Sequence, residues 1–389
     1  MPICLYCDRE KLKEEFSKEH ILPKAIGGNI TPINPFVIHN VCERCNKLSG
    51  LYIDAPFIRN WFTNNNRADN ARKFINLSAD TILPLHYMGV LKSVKYGNKI
   101  CENWLGPTGD CIYHFHESYP KELDVPPLIG APLTPFRNKI DYGFAFIFIR
   151  SNNPEWHPVI LKSFTEHFKN SILYLGNGPT PKILGFSDIT SKLCSIHEKL
   201  KGMLSKNKFH EIEFTIEINY GDRFLAKIAL GIGSIILNES FKQSRSSDLL
   251  RKLMWERKAE EREKIPVFRT NFLEKSAGIN SLVKILKWEG GHSIALINEG
   301  ENLVLYTNFY EFQSAIVVIT DEAKHWKGKI NGLGIIFVIV PGFKKAVGPL
   351  SIGEFIAHKT LNNYKNPELL NLEREMSKFE KPQPFDLED

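Results

Sequence analysis

The chain has 389 residues, and at roughly 150 residues per domain this length predicts two or three domains. Hydrophobic residues make up 43% of the chain and charged residues 24%, which is typical of globular proteins and excludes a disordered chain, a collagen-like repeat and a coiled-coil rod. The formal net charge of +6 permits binding to nucleic acid without requiring it.

Seven cysteines are sparse for this length, and their odd number argues against a secreted protein held by disulfides. The first residues, MPICL, lack the basic stretch and apolar run of a signal peptide. The longest apolar stretches, Leu225–Leu237 and Gly334–Val340, are shorter than the roughly 20 residues of a membrane-spanning helix. We therefore expect a cytoplasmic protein with no membrane partner.

Three regions follow one another along the chain, with expected boundaries near residues 58 and 185. Residues 1–58 are irregular, and a domain of this size usually depends on a metal ion for its stability. Residues 59–185 begin with a polar connection and continue as an α+β region. Its predicted strands and helix are Ile82–Gly97, Cys111–Glu117, Tyr142–Arg150 and His157–Asn170.

The third region, residues 186–389, shows a similar mixture of elements, so the expected fold class is α+β. One helix, Arg223–Phe241, is apolar nearly all round, as a buried helix should be. We expect the last ~30 residues to be loosely ordered. The other predicted elements are helices at Ser187–Leu204 and Ser246–Ile265 and strands at Phe209–Asn219, His292–Gly300, Asn302–Phe309, Ser314–Thr320 and Gly334–Gly342.

Four of the cysteines form two C-x2-C pairs, Cys4 with Cys7 and Cys42 with Cys45. Each such pair makes a tight turn that presents two thiolates together, and two pairs are a common donor set for a tetrahedral zinc ion. Because 34 residues separate Cys7 from Cys42, the predicted structural zinc would join the two ends of an inserted segment. The alternative is four free buried thiols.

The inserted segment carries further motifs in a fixed order. It reads SKEHILPKAIGGN at Ser17–Asn29 and PFVIHNVCERCNKLSGLYID at Pro35–Asp54. The succession of C-x2-C, E-H-x-x-P, G-G and N-x-C-x2-C-N resembles the HNH endonuclease family over about residues 4–54. The resemblance implies an N-terminal zinc-stabilised ββα-metal (HNH) module, in which a β-hairpin packs on a helix, followed by a larger mixed α+β region.

The resemblance also implies a role for each matching residue. His20 matches the general base that deprotonates the attacking water, and Glu19 matches the acidic ligand of a catalytic divalent ion. Asn40 matches the residue that holds the hairpin and the histidine in position. Asn46 matches the second ligand of the catalytic ion.

Two departures from the family pattern bear on the metal site. Family members more often carry Asp than Glu before the histidine, and the third letter of the motif here is Asn46 rather than His. A carboxylate and an amide oxygen suit a hard ion, so we expect Mg2+ or Mn2+ as the catalytic ion. A neutral histidine supplies a general base near pH 7.

Basic residues in and after the motif are candidates for nucleic-acid contacts. Lys24, Lys47, Arg59 and Arg67 are expected to position a phosphate backbone without reading its sequence. The alternative is a mixed solvated surface, because residues 1–50 carry seven basic and six acidic side chains.

Two histidines lie outside the motif but on one side of a predicted strand. His114 and His116 are two residues apart and close to Cys111. A second metal site is conceivable there, and we expect an ordinary strand surface instead. Cys101, Cys111 and Cys194 are expected to be buried structural thiols.

The leading hypothesis is a metal-dependent HNH endonuclease that hydrolyses phosphodiester bonds, with DNA as the favoured substrate and RNA as a further possibility. The C-terminal region would provide target recognition or regulation. HNH modules serve in restriction, phage defence, homing and toxin systems, and the sequence does not choose among these roles. The alternative hypothesis is a non-catalytic zinc module that binds nucleic acid or a partner protein.

Overall fold

The computed structural model describes residues 1–30, 34–74, 82–117, 143–177, 185–204, 210–214, 221–237, 239–270, 272 and 284–379. Within these ranges the strands are β1 Phe16–His20, β2 Val37–Cys42, β3 His86–Leu91, β4 Lys99–Leu105, β5 Cys111–Glu117, β6 Phe144–Phe148, β7 Ile172–Leu175, β8 Ile212–Glu213, β9 His292–Glu299, β10 Asn302–Phe309, β11 Gln313–Thr320, β12 Gly334–Val340 and β13 Lys345–Ser351. The mixture of helices and sheets confirms the predicted α+β class.

The α-helices of the same ranges are α1 Glu43–Ser49, α2 Ala55–Ile58, α3 Trp61–Arg72, α4 His157–His167, α5 Ser191–Leu204, α6 Asp222–Ile236, α7 Glu239–Lys242, α8 Arg245–Trp255, α9 Ala259–Glu263, α10 Ile352–Thr360 and α11 Pro367–Met376. Among the described residues, no helix combines the length and the apolarity that crossing a bilayer requires.

Contacts between backbone positions divide the chain into two units. The first unit joins Met1–Ile58 to Glu217–Lys378, and the second joins Arg59–Ile216 to Phe379–Asp389. The N-terminal segment therefore packs as part of a larger unit that includes later sequence. Three separate domains, 1–58, 59–185 and 186–389, remain a prediction.

The first unit opens with the expected ββα arrangement. Strands β1 and β2 pair antiparallel, and their register shifts between Ser17 and Glu19, as at a β-bulge. Helix α1 follows β2 directly, and a π-helical turn at Gly50–Asp54 carries it into α2. Turns of this kind are frequent at functional sites because they re-aim side chains.

The rest of the first unit is an antiparallel sheet with a buried helix. The strand order is β11-β10-β9-β12-β13, and α6 and α8 pack against each other and against β11. Residues 224–233 of α6 are all buried, which matches the apolar pattern of its sequence. The core includes Cys4, Phe57, Phe224, Leu305 and Ile339, so the N-terminal module and the sheet share one core.

The second unit contains a six-stranded sheet in the order β7-β6-β5-β4-β3-β8. The pair β6–β7 is parallel and the other pairs are antiparallel. Side chains alternate between two cores, one on each face of the sheet. Trp104, Ile112 and Phe164 belong to one core, and Phe115, Phe146 and Leu200 to the other.

Several predicted elements need correction. The expected helix Arg223–Phe241 ends at Ile236, and the expected helix Ser246–Ile265 is two helices, α8 and α9, because the chain is extended at Glu256. Much of the expected C-terminal tail is the helix α11, capped by Asn366 and started by Pro367. Residues 380–389 and most of the predicted strand Phe209–Asn219 lie outside the described residues.

Candidate active site and zinc cluster

The four cysteines of the two pairs converge in the first unit. Their Sγ atoms all lie within 4.8 Å of one another, and all but Cys7 are buried. The backbone N–H of Cys42 donates to Cys4 Sγ at 3.3 Å, which joins the two turns. Hydrogen bonds from the Cys45 thiol and from backbone amides lower the pKa of Cys4 to about 4, which favours a thiolate. This donor set fits a tetrahedral zinc ion.

His20 is held in one tautomer by the G-G turn of the motif. Its Nδ1 lies 2.7 Å from the carbonyl oxygen of Gly28, and a carbonyl only accepts, so Nδ1 carries the proton and donates. Nε2 is therefore the basic nitrogen. Gly28 needs to be glycine because a Cβ there would lie 1.6 Å from the carbonyl oxygen of Leu22.

A basic cleft of about 470 Å³ surrounds His20. Its walls come from β1, the G-G turn and β2, and its lining residues are Lys18, His20, Lys24, Asn29, Ile30, Asn34, Val37 and His39. Burial, then the positive charges of Lys24 and Lys18, lower the pKa of His20 below its ordinary value. The imidazole is thus neutral at pH 7 and able to accept a proton, while the lysines favour an anion in the cleft.

Glu19 lies on the opposite side of β1 from His20, as the alternation of a strand requires. It is 3% exposed, and its Oε1 atom lies 2.8 Å from Lys227 Nζ of helix α6. The same oxygen accepts from the Tyr6 hydroxyl at 3.1 Å. In this structure the Glu19 carboxylate is paired with a buried ammonium group, and its predicted role as a ligand of the catalytic ion stays a prediction.

Lys227 binds a second carboxylate as well. Its Nζ lies 2.9 Å and 2.7 Å from the two oxygens of Asp54, in the π-helical turn, and donates to the carbonyl of His20 at 3.3 Å. Burial raises the pKa of Asp54 to about 6, against the opposing effect of Lys227. This buried Glu19–Lys227–Asp54 cluster fixes the strand that carries His20 to the core of the unit.

The two asparagines of the motif tie elements together. Asn46 of α1 donates through Nδ2 to Ser17 Oγ and to the Lys18 carbonyl, both at 3.0 Å. The Asn40 carbonyl accepts from the Leu5 N–H at 2.8 Å, which joins β2 to the first cysteine turn. Asn40 Oδ1 is buried and has no hydrogen-bond partner among the described residues. The predicted roles of both side chains in catalysis remain predictions.

The predicted phosphate-contacting residues are found in different places. Lys24 lines the cleft, whereas Lys47 is exposed on α1 and pairs with Glu43 at 2.6 Å. Arg59 and Arg67 belong to the second unit, and Arg67 Nη2 donates to Asn64 Oδ1 at 3.3 Å. Lys18 and His39 also line the cleft beside Lys24.

Sequence reasoning missed the cluster of Lys227, Asp54 and Tyr6. One signal was present, since Lys227 is the charged residue that interrupts an otherwise apolar stretch. A lysine in the middle of a buried helix needs a buried anion. The sequence does not indicate which anion, because Asp54 lies 173 residues away.

These features define a zinc-type ββα module with a basic cleft around one oriented histidine. Residues 4–62 match the model of a family described as HNH endonuclease. This match confirms the resemblance that the motifs of the segment carry. The match supports a nuclease module that acts on nucleic acid. No curated protein and no solved structure matches the chain.

Proposed function

We propose that the protein is an endonuclease that hydrolyses phosphodiester bonds in DNA, with His20 as the general base. The observation that carries the proposal is the geometry of His20 in the cleft. Its Nδ1 proton is committed to Gly28, its pKa is lowered, and two lysines line the same cleft. The family match of residues 4–62 supports the same chemistry.

The proposed reaction uses the residues of the cleft in turn. Lys18 and Lys24 hold the phosphate by charge, which places the scissile bond against β1. His20 Nε2 accepts a proton from a water as the oxygen of that water bonds to phosphorus, and the new imidazolium keeps its hydrogen bond to Gly28. The P–O bond to the leaving ester oxygen breaks, and that oxygen takes a proton from solvent to leave as an alcohol. The Glu19–Lys227–Asp54 cluster fixes the backbone of His20 from the other side of the strand.

Two metals enter the proposal differently. A zinc ion on the four cysteines would hold the two turns together and position the hairpin. A requirement for Mg2+ or Mn2+ remains a prediction, and we assign it neither Glu19 as a ligand nor a step in proton transfer. Cytoplasmic location and a role of the C-terminal region in target recognition or regulation complete the proposal.

The test is cleavage of plasmid DNA with Mg2+, with Mn2+ and with a chelator. We expect the wild type to cut with one of these ions. The cleavage rate of His20→Ala should be about 10²–10⁴-fold lower. His210→Ala is the matched control, since His210 is a half-buried histidine of the second unit. Equal rates for the wild type and His20→Ala would disprove the role of His20.

The alternative function, a non-catalytic zinc module, predicts a different pattern. The wild type would bind DNA with an affinity that falls steeply with salt, and it would cut neither DNA nor RNA with any of the ions. If the protein cleaves RNA and not DNA, the proposed hydrolysis holds and the substrate is RNA instead of DNA. The cleft favours the catalytic function, because a purely phosphate-binding surface does not need an oriented neutral histidine.

A further inference from the structure

A second cluster of metal-ligating side chains lies in the sheet of the second unit. Glu102 of β4 stands directly across from His114 of β5, and His116 follows on the same side of that strand. Glu102 is 1% exposed and His116 is 3% exposed. The expectation of an ordinary strand surface at these histidines is therefore wrong.

The distances within this cluster are short enough for three ligands around one ion. His116 Nε2 lies 3.4 Å from Glu102 Oε1, and His114 Nδ1 lies 3.7 Å from Glu102 Oε2. Ligand atoms about 2.0–2.2 Å from a tetrahedral zinc ion lie about 3.3 Å from one another. One atom from each of the three residues falls within 4.8 Å of the others.

Surrounding groups orient all three side chains. The His116 Nδ1 proton is donated to the Glu117 carbonyl at 2.7 Å, so Nε2 faces Glu102 as a base. His114 Nε2 lies 3.0 Å from Ser171 Oγ, which leaves Nδ1 towards the same carboxylate. Trp104 Nε1 donates to Glu102 Oε2 at 3.1 Å. Metal-binding histidines are typically fixed in this way through their second nitrogen.

Two further observations concern the space around the imidazoles and their exposure among the described residues. A Cβ on Gly143 would lie 2.8 Å from His114 Nε2, so a side chain there would displace the ring. The side chain of His114 is 15% exposed, so the cluster reaches the surface at its edge. An ion has access while the carboxylate stays buried.

We propose that Glu102, His114 and His116 bind a first-row divalent transition-metal ion, of which Zn2+ best matches two imidazoles and one carboxylate. This site is separate from the four-cysteine cluster and uses nitrogen and oxygen ligands only. It adds a second metal-binding site to the chain, on residues that lie outside the motifs and outside the family match over residues 4–62.

The test is titration of the metal-free full-length protein with Co2+, a coloured probe for Zn2+ sites. Thiolate ligands give cobalt an intense near-ultraviolet charge-transfer band that nitrogen and oxygen ligands lack. We expect one equivalent of cobalt with thiolate absorption and one without it. A wild type that binds only thiolate-ligated cobalt would overturn the proposal and identify the cluster as a buried ion pair.

Variants test whether the equivalent of cobalt without thiolate absorption binds at Glu102, His114 and His116. Glu102→Gln keeps the shape of the side chain and removes the charge, and we expect loss of the cobalt without thiolate absorption. Glu117→Gln is the matched control, since this carboxylate at the end of β5 is exposed and pairs with Lys99 of β4 at 3.3 Å. The same second equivalent in both variants would overturn the assignment. If Glu102→Gln fails to fold, His114→Gln at the partly exposed edge of the cluster supplies the same test, with loss of the cobalt without thiolate absorption expected and its retention overturning the assignment.

Discussion

The two sides of strand β1 differ in charge, burial and partners, although His20 and Glu19 are neighbours in the chain. On the outer side, His20 faces a cleft with two lysines. On the inner side, Glu19 is buried against Lys227, which also holds Asp54. Two neighbouring residues of one sequence motif therefore have different roles, one on a reactive side of β1 and one on a supporting side, because residues of a strand alternate between its two sides.

The largest effect is expected from removal of the zinc ion, because the order of the whole hairpin, on both sides of β1, would depend on it. Cys42→Ser should lose zinc and the ordered hairpin, since structural zinc contributes roughly 10 kcal/mol or more to the folding of small zinc modules. Zinc content and amide hydrogen exchange of β1 and β2 measure this. Cys194→Ser is the control, as Cys194 is exposed. Full protection of the hairpin in a zinc-free Cys42→Ser protein would contradict the prediction.

The next largest effect is expected on the inner side alone. Lys227→Met leaves the buried Glu19 and the partly buried Asp54 without their cation, which should lower the free energy of unfolding by about 3–5 kcal/mol, measured by urea unfolding. The exposed Lys252→Met is the control.

A double variant tests whether Glu19 supports the strand through Lys227 or binds a catalytic ion. Glu19→Gln added to Lys227→Met should recover part of the lost stability, because one unpaired charge is removed. If Glu19 is a ligand of a catalytic ion instead, Glu19→Gln alone would abolish cleavage without changing stability, and the double variant would show no recovery.

A smaller, pH-dependent effect is expected at Asp54. Its pKa is about 6 in the folded protein against 3.8 for the ordinary group, so between these values the folded state holds a proton that the unfolded state has released. This contribution to stability is therefore complete at low pH and is lost as the pH rises through about 6. As the pH rises from 3.8 to about 6, the free energy of unfolding of the wild type should fall by roughly 2–3 kcal/mol relative to that of Asp54→Asn.

Urea unfolding at several pH values measures the difference between the two proteins. Asp188→Asn is the matched control, because Asp188 is exposed. A difference between wild type and Asp54→Asn that does not change with pH would show that Asp54 is not held at a raised pKa by its burial.

The smallest effect is expected on the outer side. Lys24 is one of the charges that lower the pKa of His20, after burial. Lys24→Met should therefore move the inflection of the pH–rate profile of cleavage upward, towards the ordinary histidine value. Lys47→Met should leave the inflection in place, since Lys47 pairs with Glu43 on α1. Identical profiles for Lys24→Met and wild type would contradict the prediction.

Much of the candidate site could be predicted because it is local in sequence. The cysteine pairs, the histidine and the G-G turn form short motifs whose spacing indicates their geometry. The Glu19–Lys227 pair could not be predicted, since it depends on how α6 packs on the module. Glu102 joins His114 only through the register of β4 and β5, which is fixed by the turn and by packing.

The fold shows the same division between local and distant information. The buried helix α6 was predictable, because its apolar residues run nearly all round. The grouping of residues 1–58 with Glu217–Lys378 was not, since it depends on a core shared between distant segments. The polar composition of the last ~30 residues favours a loosely ordered tail, whereas Asn366 followed by Pro367 is a local signal for the start of α11.

The most direct test of the role of His20 is chemical rescue of single-turnover DNA cleavage by His20→Ala. We expect a rate about 10²–10⁴-fold below wild type at neutral pH, with unchanged zinc content, and partial recovery when imidazole is added. A variant that cuts as fast as the wild type would contradict the account. So would a variant that is equally slow with and without imidazole while binding DNA and zinc normally.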